Sequence, residues 1–170
     1  MKVKIVNSSA NELPKYETLL SSGMDVRGDF NKIKLEDGKP VGFFFDTDAV
    51  GILRGKVKTL EIKPGGRCLI PTGLSVAIPE GYEIQCRMRS GLALKMGLAL
   101  TNGIGTIDAD YRGDIGIILM NTSNYPVRIN EGDRLMQIVL AKTERIEWEP
   151  VDSLDDTERG DGGYGHTGVK

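Results

Sequence analysis

The residues best able to do chemistry lie in Thr101-Asn-Gly-Ile-Gly-Thr-Ile-Asp-Ala-Asp-Tyr-Arg-Gly113. If the stretch is extended, Asp108 and Asp110 share one side, and Asp-x-Asp-x-Arg-Gly has the spacing that opens a calcium loop. The match then breaks, because Arg112 stands where a ligand belongs and Leu119 where the bidentate Glu belongs. A carboxylate here is better suited to act as base toward a water than to join a protein-only metal cage. Asp108 follows Ile107 in an apolar approach and is the stronger candidate, whereas Asp110 fits a solvated turn.

Arg89-Ser-Gly91 ends a strand and opens a short helix, which gathers N–H groups, a hydroxyl and a guanidinium where an anion is favoured. The same tripeptide is also an ordinary turn. Asp25 is an isolated carboxylate flanked by apolar residues, and Gln137 sits in the otherwise apolar run Leu135–Leu140. The tail contains GxGxxG at Gly160, Gly162 and Gly165, but no strand precedes it and no helix or βαβ unit follows, so a dinucleotide fold fails on context. A glycine-rich end can be a linker, yet Arg159, Tyr164, His166 and Thr167 are not linker residues. On an open backbone they could wrap a phosphate chain and cap a base. His166 is the only histidine, which excludes a multi-histidine metal site and a catalytic triad built on a core histidine.

These residues must be held by strands. Glycine occurs 22 times in 170 residues, about twice its usual share, and glycines and prolines divide the chain into strand-sized pieces. Tyr82–Arg89 alternates most clearly, with Tyr82, Ile84, Cys86 and Met88 on one face and Glu83, Gln85, Arg87 and Arg89 on the other. Leu74–Ile78 alternates likewise. Ile115–Met120 and Leu135–Leu140 are apolar at nearly every position, as strands covered on both faces are. Further strands are expected at Lys2–Val6, Asn31–Leu35, Val57–Ile62, Val127–Asn130 and Arg145–Glu149, with one short helix at Leu92–Met96. The sum is an all-β sandwich, jelly roll or closed barrel. Glu36–Lys56, with Phe43-Phe-Phe45 and then Asp46 and Asp48, reads as an added hairpin whose apolar tip needs a partner or its own satellite core. The acidic stretch after Pro150 reads as a mobile arm.

Composition narrows the function classes. With 22 Lys+Arg against 24 Asp+Glu there is no basic field to hold a nucleic acid or a membrane surface. Cys68 and Cys86 lie in apolar stretches without a CxxC partner and read as buried small hydrophobes. The N-terminal segment turns polar too early for a signal-peptide core, and no apolar run reaches the roughly 20 residues of a membrane span. The expectation is a soluble, cytoplasmic protein. The Asn-x-Ser patterns at Asn7 and Asn121, and the Arg-Gly-Asp tripeptides at Arg27, Arg112 and Arg159, are then turns rather than glycosylation or adhesion signals.

In this order, Ser22-Gly-Met-Asp-Val26, Arg89-Ser-Gly-Leu-Ala93, Gly105-Thr-Ile-Asp-Ala-Asp-Tyr-Arg-Gly113, Gly132-Asp-Arg-Leu-Met-Gln-Ile138 and Arg159-Gly-Asp-Gly-Gly-Tyr-Gly165 resemble the five motifs of the trimeric deoxyuridine triphosphatases. The resemblance covers nearly the whole chain. It implies a homotrimer of jelly-roll-like distorted β-barrels with C-terminal arm exchange, residues 1–150 forming the barrel with an inserted hairpin at 36–56 and residues 151–170 the arm. It implies hydrolysis of dUTP to dUMP and pyrophosphate with Mg2+, which limits uracil in DNA and supplies dUMP for thymidylate synthesis.

By position, the resemblance makes Asp108 the base for the water that attacks the α-phosphorus. Positioning and charge neutralisation supply most of such catalysis. Arg89, Ser90 and Gly91 would hold phosphate oxygens from a second subunit. Asn102, with Gly105, Thr106 and Ile107, would read the uracil edge. Tyr111 would pack under the deoxyribose, where a 2′-hydroxyl would clash. Gln137 would contact phosphate, and Asp25 would lie near the metal and its waters without ligating it. From a third subunit, Arg159 and Thr167 would reach phosphates and Tyr164 would stack on the uracil, with Gly165 and His166 beside them. Pro150 to Arg159 can span about 30 Å at roughly 3.3–3.6 Å per residue, enough to cross to a neighbour, and closure of the arm would exclude water.

Tyr164 replaces the commoner Phe of the family, Val26 the usual Leu, and His166 a frequent Ser, while 36–56 is longer than usual. Two other readings stand beside this one: the related dCTP deaminase, and a dUTPase-like regulatory module that grips a protein partner through the 36–56 hairpin.

Overall fold

A computed structural model of the chain describes residues 1–33, 35–36, 39–40, 50–53 and 58–164. Its elements, in order, are β1 (Lys4–Asn7), β2 (Met24–Arg27), a 3-10 turn (Phe30–Lys32), β3 (Leu35–Glu36), β4 (Lys39–Pro40), β5 (Val50–Leu53), β6 (Thr59–Ile62), β7 (Arg67–Pro71), β8 (Leu74–Ala77), β9 (Tyr82–Met88), α1 (Ser90–Met96), β10 (Leu98–Leu100), β11 (Gly105–Ile107), β12 (Gly116–Asn121), β13 (Val127–Asn130) and β14 (Arg134–Lys142). The expected all-β class is what the chain adopts.

Every pairing between described strands is antiparallel. The central sheet runs β11-β9-β14-β2, a second runs β10-β12-β7, and smaller ones pair β1 with β8, β3 with β4, and β13-β6-β5. One apolar core lies between them, built on Val26, Phe30, Leu60, Ile70, Ile117 and Leu135, with many others. The alternation of β9 holds, with Ile84 and Cys86 buried and Arg87 exposed. A bulge between Arg134 and Met136 lets the adjacent Leu135 and Met136 both face inward.

Three expectations are corrected. Asn31–Leu35 is not one strand: the Asp29 side chain accepts the Asn31 N–H and caps the 3-10 turn, so only Leu35 pairs further on. Arg145–Glu149 forms no strand, having no described partner strand to complete its backbone hydrogen bonds. β12 is buried on one face only within a single chain: Ile117, Leu119 and Asn121 are buried, while Ile118 and Met120 stay half-exposed beside Leu69 and Ala99. Within the expected added hairpin at 36–56, β5 pairs with β6 of the barrel. Phe43-Phe-Phe45, Asp46 and Asp48 lie outside the described residues.

Both Asn-x-Ser patterns are corner turns. Asn7 Oδ1 accepts the Ser9 N–H at 3.0 Å, and Asn121 Oδ1 accepts the Ser123 N–H at 2.9 Å. Each corner packs against a glycine in the left-handed region, Gly73 (φ +74°) and Gly97 (φ +65°), where an added Cβ would meet Ser9 or Ser123 at under 3 Å.

Candidate active site

The loop from Thr101 to Asp114 is set by three strands. β10 and β12 hold its start through a Thr101 N–H bond to the Ile118 carbonyl at 3.0 Å, and Gly103 turns the chain in the left-handed region. β11 then pairs Gly105 with Cys86, Thr106 with Gln85 and Ile107 with Ile84 on β9. The Asn102 amide nitrogen sits 2.9 Å from where a Gly105 Cβ would be, so the missing side chain is what lets the amide cover that backbone. Asn102, Gly105, Thr106, Ile107 and Tyr111 together line a cleft of about 240 Å3, floored by apolar residues including Leu69, Leu100 and Ile118. This is below the roughly 300–1,000 Å3 of pockets for drug-sized ligands and suits a base and sugar.

Tyr111 closes one side of this cleft. Its hydroxyl donates to the Asp114 carbonyl at 3.0 Å and its N–H to the Asp108 carbonyl at 3.2 Å. The ring lies so close to Gly113 that a Cβ there would fall 2.3 Å from the hydroxyl oxygen. Asp108 itself is exposed and faces a wider cleft of about 1010 Å3, shared with Tyr82, Glu83, Asp110, Arg112 and Glu144. The candidate base therefore stands one residue past the small cleft and opens to the other side.

A second cluster is ionic. On β2, Asp25 Oδ2 pairs with Arg89 Nε at 3.1 Å and with Arg134 Nη1 at 3.2 Å, and Arg134 also reaches Glu17 at 2.9 Å. Arg89 donates through Nη1 to the Arg134 carbonyl at 2.8 Å. Gln137 is the register partner of Asp25 across the β14–β2 pairing. Ser90 and Gly91, opening α1, are exposed. Arg159 is engaged in its own turn, donating from Nε to the Gly162 carbonyl at 2.8 Å, and Tyr164 is fully exposed. Gly165, His166 and Thr167 lie outside the described residues.

The fold thus brings together the five cleft residues, with Asp108 next along the loop but lining the wider cleft, and separately Asp25, Arg89 and Gln137; of the described arm residues, Arg159 bonds within its own turn and Tyr164 is exposed. The sequence reading missed Arg134, Glu17 and Asp114. A charge entering the apolar run at Leu135 was a usable signal for Arg134; Asp114 gave none beyond its place in an Arg-Gly-Asp turn.

Among the described residues, no group of three or more His, Cys, Asp or Glu could hold a metal. Burial pushes the Cys68 thiol up to about 12 and that of Cys86 up to about 11, so both are protonated and unreactive at neutral pH. Among the described residues no helix is long and apolar enough to cross a membrane.

The sequence pattern of the family described as dUTPase matches residues 56–168. A deoxyuridine 5'-triphosphate nucleotidohydrolase of Finegoldia magna is 48% identical over 168 residues, covering 99% of both chains. The chain belongs to the dUTPase family. A second such relative, from Fusobacterium nucleatum, is 44% identical and covers 99% of this chain and 97% of its own. Membership of the dUTPase family bears out the resemblance drawn from the five motifs, and these relatives do not favour the deaminase reading. The first motif, around Asp25, lies before the family match but inside the alignments to the two bacterial relatives. Among solved structures, the Staphylococcus bacteriophage 80alpha dUTPase with dUpNHpp superposes with a TM-score of 0.74 at 22% identity, covering 99% of each chain. The dUTPase of phage phi11 of S. aureus, solved to visualise a species-specific insert, gives 0.67 at 21% identity over 92% of this chain and all of its own. At such identity these dUTPases show the shared jelly-roll-like fold.

Proposed function

We propose that this chain hydrolyses dUTP to dUMP and pyrophosphate in the cytoplasm, at sites shared between the subunits of a homotrimer. The observation that carries the reading is the 240 Å3 cleft, which gathers the uracil-reading and sugar-packing positions of the dUTPase motifs. Asn102 and the β11 backbone offer donors and acceptors to a pyrimidine edge, and Tyr111 offers an apolar wall to the sugar. Asp108, open to solvent, takes the proton of the attacking water as the new bond to the α-phosphorus forms. The bond from that phosphorus to the bridging oxygen breaks, pyrophosphate leaves, and the carboxyl returns its proton to solvent.

Arg89 is held at Nε and Nη1, which leaves Nη2 for a phosphate oxygen of a neighbouring subunit's nucleotide, with Ser90 and Gly91 beside it. Gln137 completes the phosphate contacts. Asp25 is already paired with two arginines, so it suits a metal-bound water better than direct ligation, and Mg2+ would be held mainly by the triphosphate. When bound, Mg2+ neutralises charge on the phosphates. A phi11 phage dUTPase has been solved with a structural Mg(II) ion, which supports the choice of metal.

The arm, residues 151–170, would cross to a neighbour, where Arg159, Tyr164, Gly165, His166 and Thr167 close over the nucleotide. Support comes from the apolar residues left in water by the isolated chain, Ile146, Trp148, Val151 and Leu154 on the arm and its approach, and from the half-exposed face of β12. Pyrophosphate release measured with dUTP, dCTP, dTTP and UTP in magnesium tests the function. Turnover confined to dUTP is expected; ammonia from dCTP, or no turnover of any of the four, overturns it.

A further inference from the structure

The Asp114 carboxylate has no place in the reading of the site so far, yet it is the most densely bonded side chain near it. Its Oδ1 accepts the Thr72 and Gly73 N–H groups, both at 3.0 Å, and its Oδ2 accepts Lys32 Nζ at 3.0 Å. The Thr72 hydroxyl donates onward to the Ile115 carbonyl at 2.7 Å, and the Ile115 N–H returns to Leu74 at 2.8 Å. Lys32 is itself braced by Ser8 Oγ at 2.7 Å, and Ser8 Oγ donates to Gly73 at 2.9 Å. Residues 114 and 115 are therefore stitched to the β7–β8 turn from both side chain and backbone. The backbone carbonyl of the same Asp114 receives the Tyr111 hydroxyl.

We propose that Asp114 is a positioning residue that fixes the Tyr111 ring against the cleft and thereby sets the discrimination between deoxyribose and ribose. The inference rests on the proposed place of Tyr111 under the sugar. Rejection by a steric clash works only if the clashing group cannot recoil. Burial does not hold this ring, since Tyr111 is 43% exposed. Its fixed points are the Gly113 backbone beneath it and the carbonyl at its tip, and that carbonyl stays in place because hydrogen bonds from the Thr72 and Gly73 N–H groups, reinforced by Lys32, hold its own side chain to the framework. Without them the ring is free to yield to a 2′-hydroxyl.

The test compares kcat/KM for dUTP and UTP in the full-length enzyme. In Asp114→Ala the dUTP:UTP ratio should fall about tenfold or more, within the loss that a misplacement of about 1 Å can cause, and chiefly through a gain with UTP. Asp114→Asn should keep the ratio within about threefold of wild type, because an amide oxygen still accepts from Thr72 and Gly73. A wild-type ratio in Asp114→Ala overturns the proposal, and so does an Asn variant as damaged as the Ala one. If Asp114→Ala does not fold, Lys32→Met, which removes the charged partner of Oδ2, should lower the ratio by about two- to threefold; an unchanged ratio there overturns it. Tyr111→Ala separates the premise from the inference. If it leaves the ratio intact, the reading of Tyr111 under the sugar is wrong and the proposal falls with it. If it collapses the ratio while Asp114→Ala does not, only the role of Asp114 is lost.

Discussion

The loop from Thr101 to Asp114 and the segment from Thr143 to Tyr164 both carry motif residues but are held in opposite ways. The loop is tied to β9, β10, β12 and the β7–β8 turn by backbone and side-chain bonds. The segment leaves the body after a Thr143 N–H bond to the Gly81 carbonyl at 2.9 Å and an exposed Glu144–Lys142 ion pair at 3.2 Å, and its hydrogen bonds beyond these are local ones within residues 157–162 among the described residues. Trp148 is 82% exposed and Leu154 85%. One region is built before any ligand arrives; the other has few bonds to the rest of its own subunit among the described residues. Recognition of the nucleoside and completion of the site should therefore be separable by mutation.

The largest effect should come at the junction of the two functions. Asp108→Asn is expected to lower kcat by on the order of 1,000-fold, as loss of a general base does, while dUTP binding measured by calorimetry stays within a few-fold. Near-normal kcat would remove the chemistry from this end of the loop. Next, ending the chain after Glu158 should cut kcat by about 100-fold through loss of closure, with the trimer intact by light scattering and dUMP affinity little changed. Full activity of that truncated protein would break the contrast, making the tail a linker.

Gly113→Ala perturbs the built region alone: the new Cβ would collide with the Tyr111 hydroxyl, and KM for dUTP should rise about tenfold without any change in arm-dependent closure. An unchanged KM would show that the ring is not a wall of the cleft. The smallest effect reports packing beneath the cleft. Burial raises both thiols, to about 12 for Cys68 and about 11 for Cys86, so in the folded protein they keep protons that the unfolded chain releases above its ordinary thiol pKa near 9. Stability from this source is complete below pH 9 and declines from pH 9 upward, by roughly 1.4 kcal/mol per thiol at pH 10. Urea unfolding of wild type and Cys68→Ala at pH 8 and pH 10 measures it; an equal pH-dependent loss in both would show that Cys68 is not sequestered.

Where one residue face decides the outcome, the sequence was legible. The alternation of Tyr82–Arg89 foretold which side chains of β9 are buried, and Leu92–Met96 located α1 to within two residues. Strands β10 and β11 span three residues each, too few for a period to register, and they emerge only because β12 and β9 lie ready to pair with them. Arg145–Glu149 looks like a strand by composition, yet a strand needs a neighbour as well as a propensity. The motifs were readable by residue type and order, and Arg134 lies inside one of them, but the partners of Arg134 and Asp114 were not, since each acts on groups far away in sequence: Arg134 on Glu17 and Asp25, Asp114 on Lys32, Thr72 and Gly73.

Those separations bear on how the molecule comes into being. The Asp114 clasp joins positions 41 and 42 residues apart, its ion pair spans 82, and the Glu17–Arg134 bond closes 117. Each requires a long loop to close before any contact rewards it, which places the chain among the slow folders dominated by non-local pairing, in the range of about milliseconds to seconds. β14, the middle of the central sheet, ends at Lys142. During synthesis, then, a nascent chain that already carries Asn102, Gly105, Thr106, Ile107 and Tyr111 still lacks the strand that locks β9 to β2 and brings Met136 to the cleft, and the cleft becomes permanent only when nearly the whole barrel has left the ribosome.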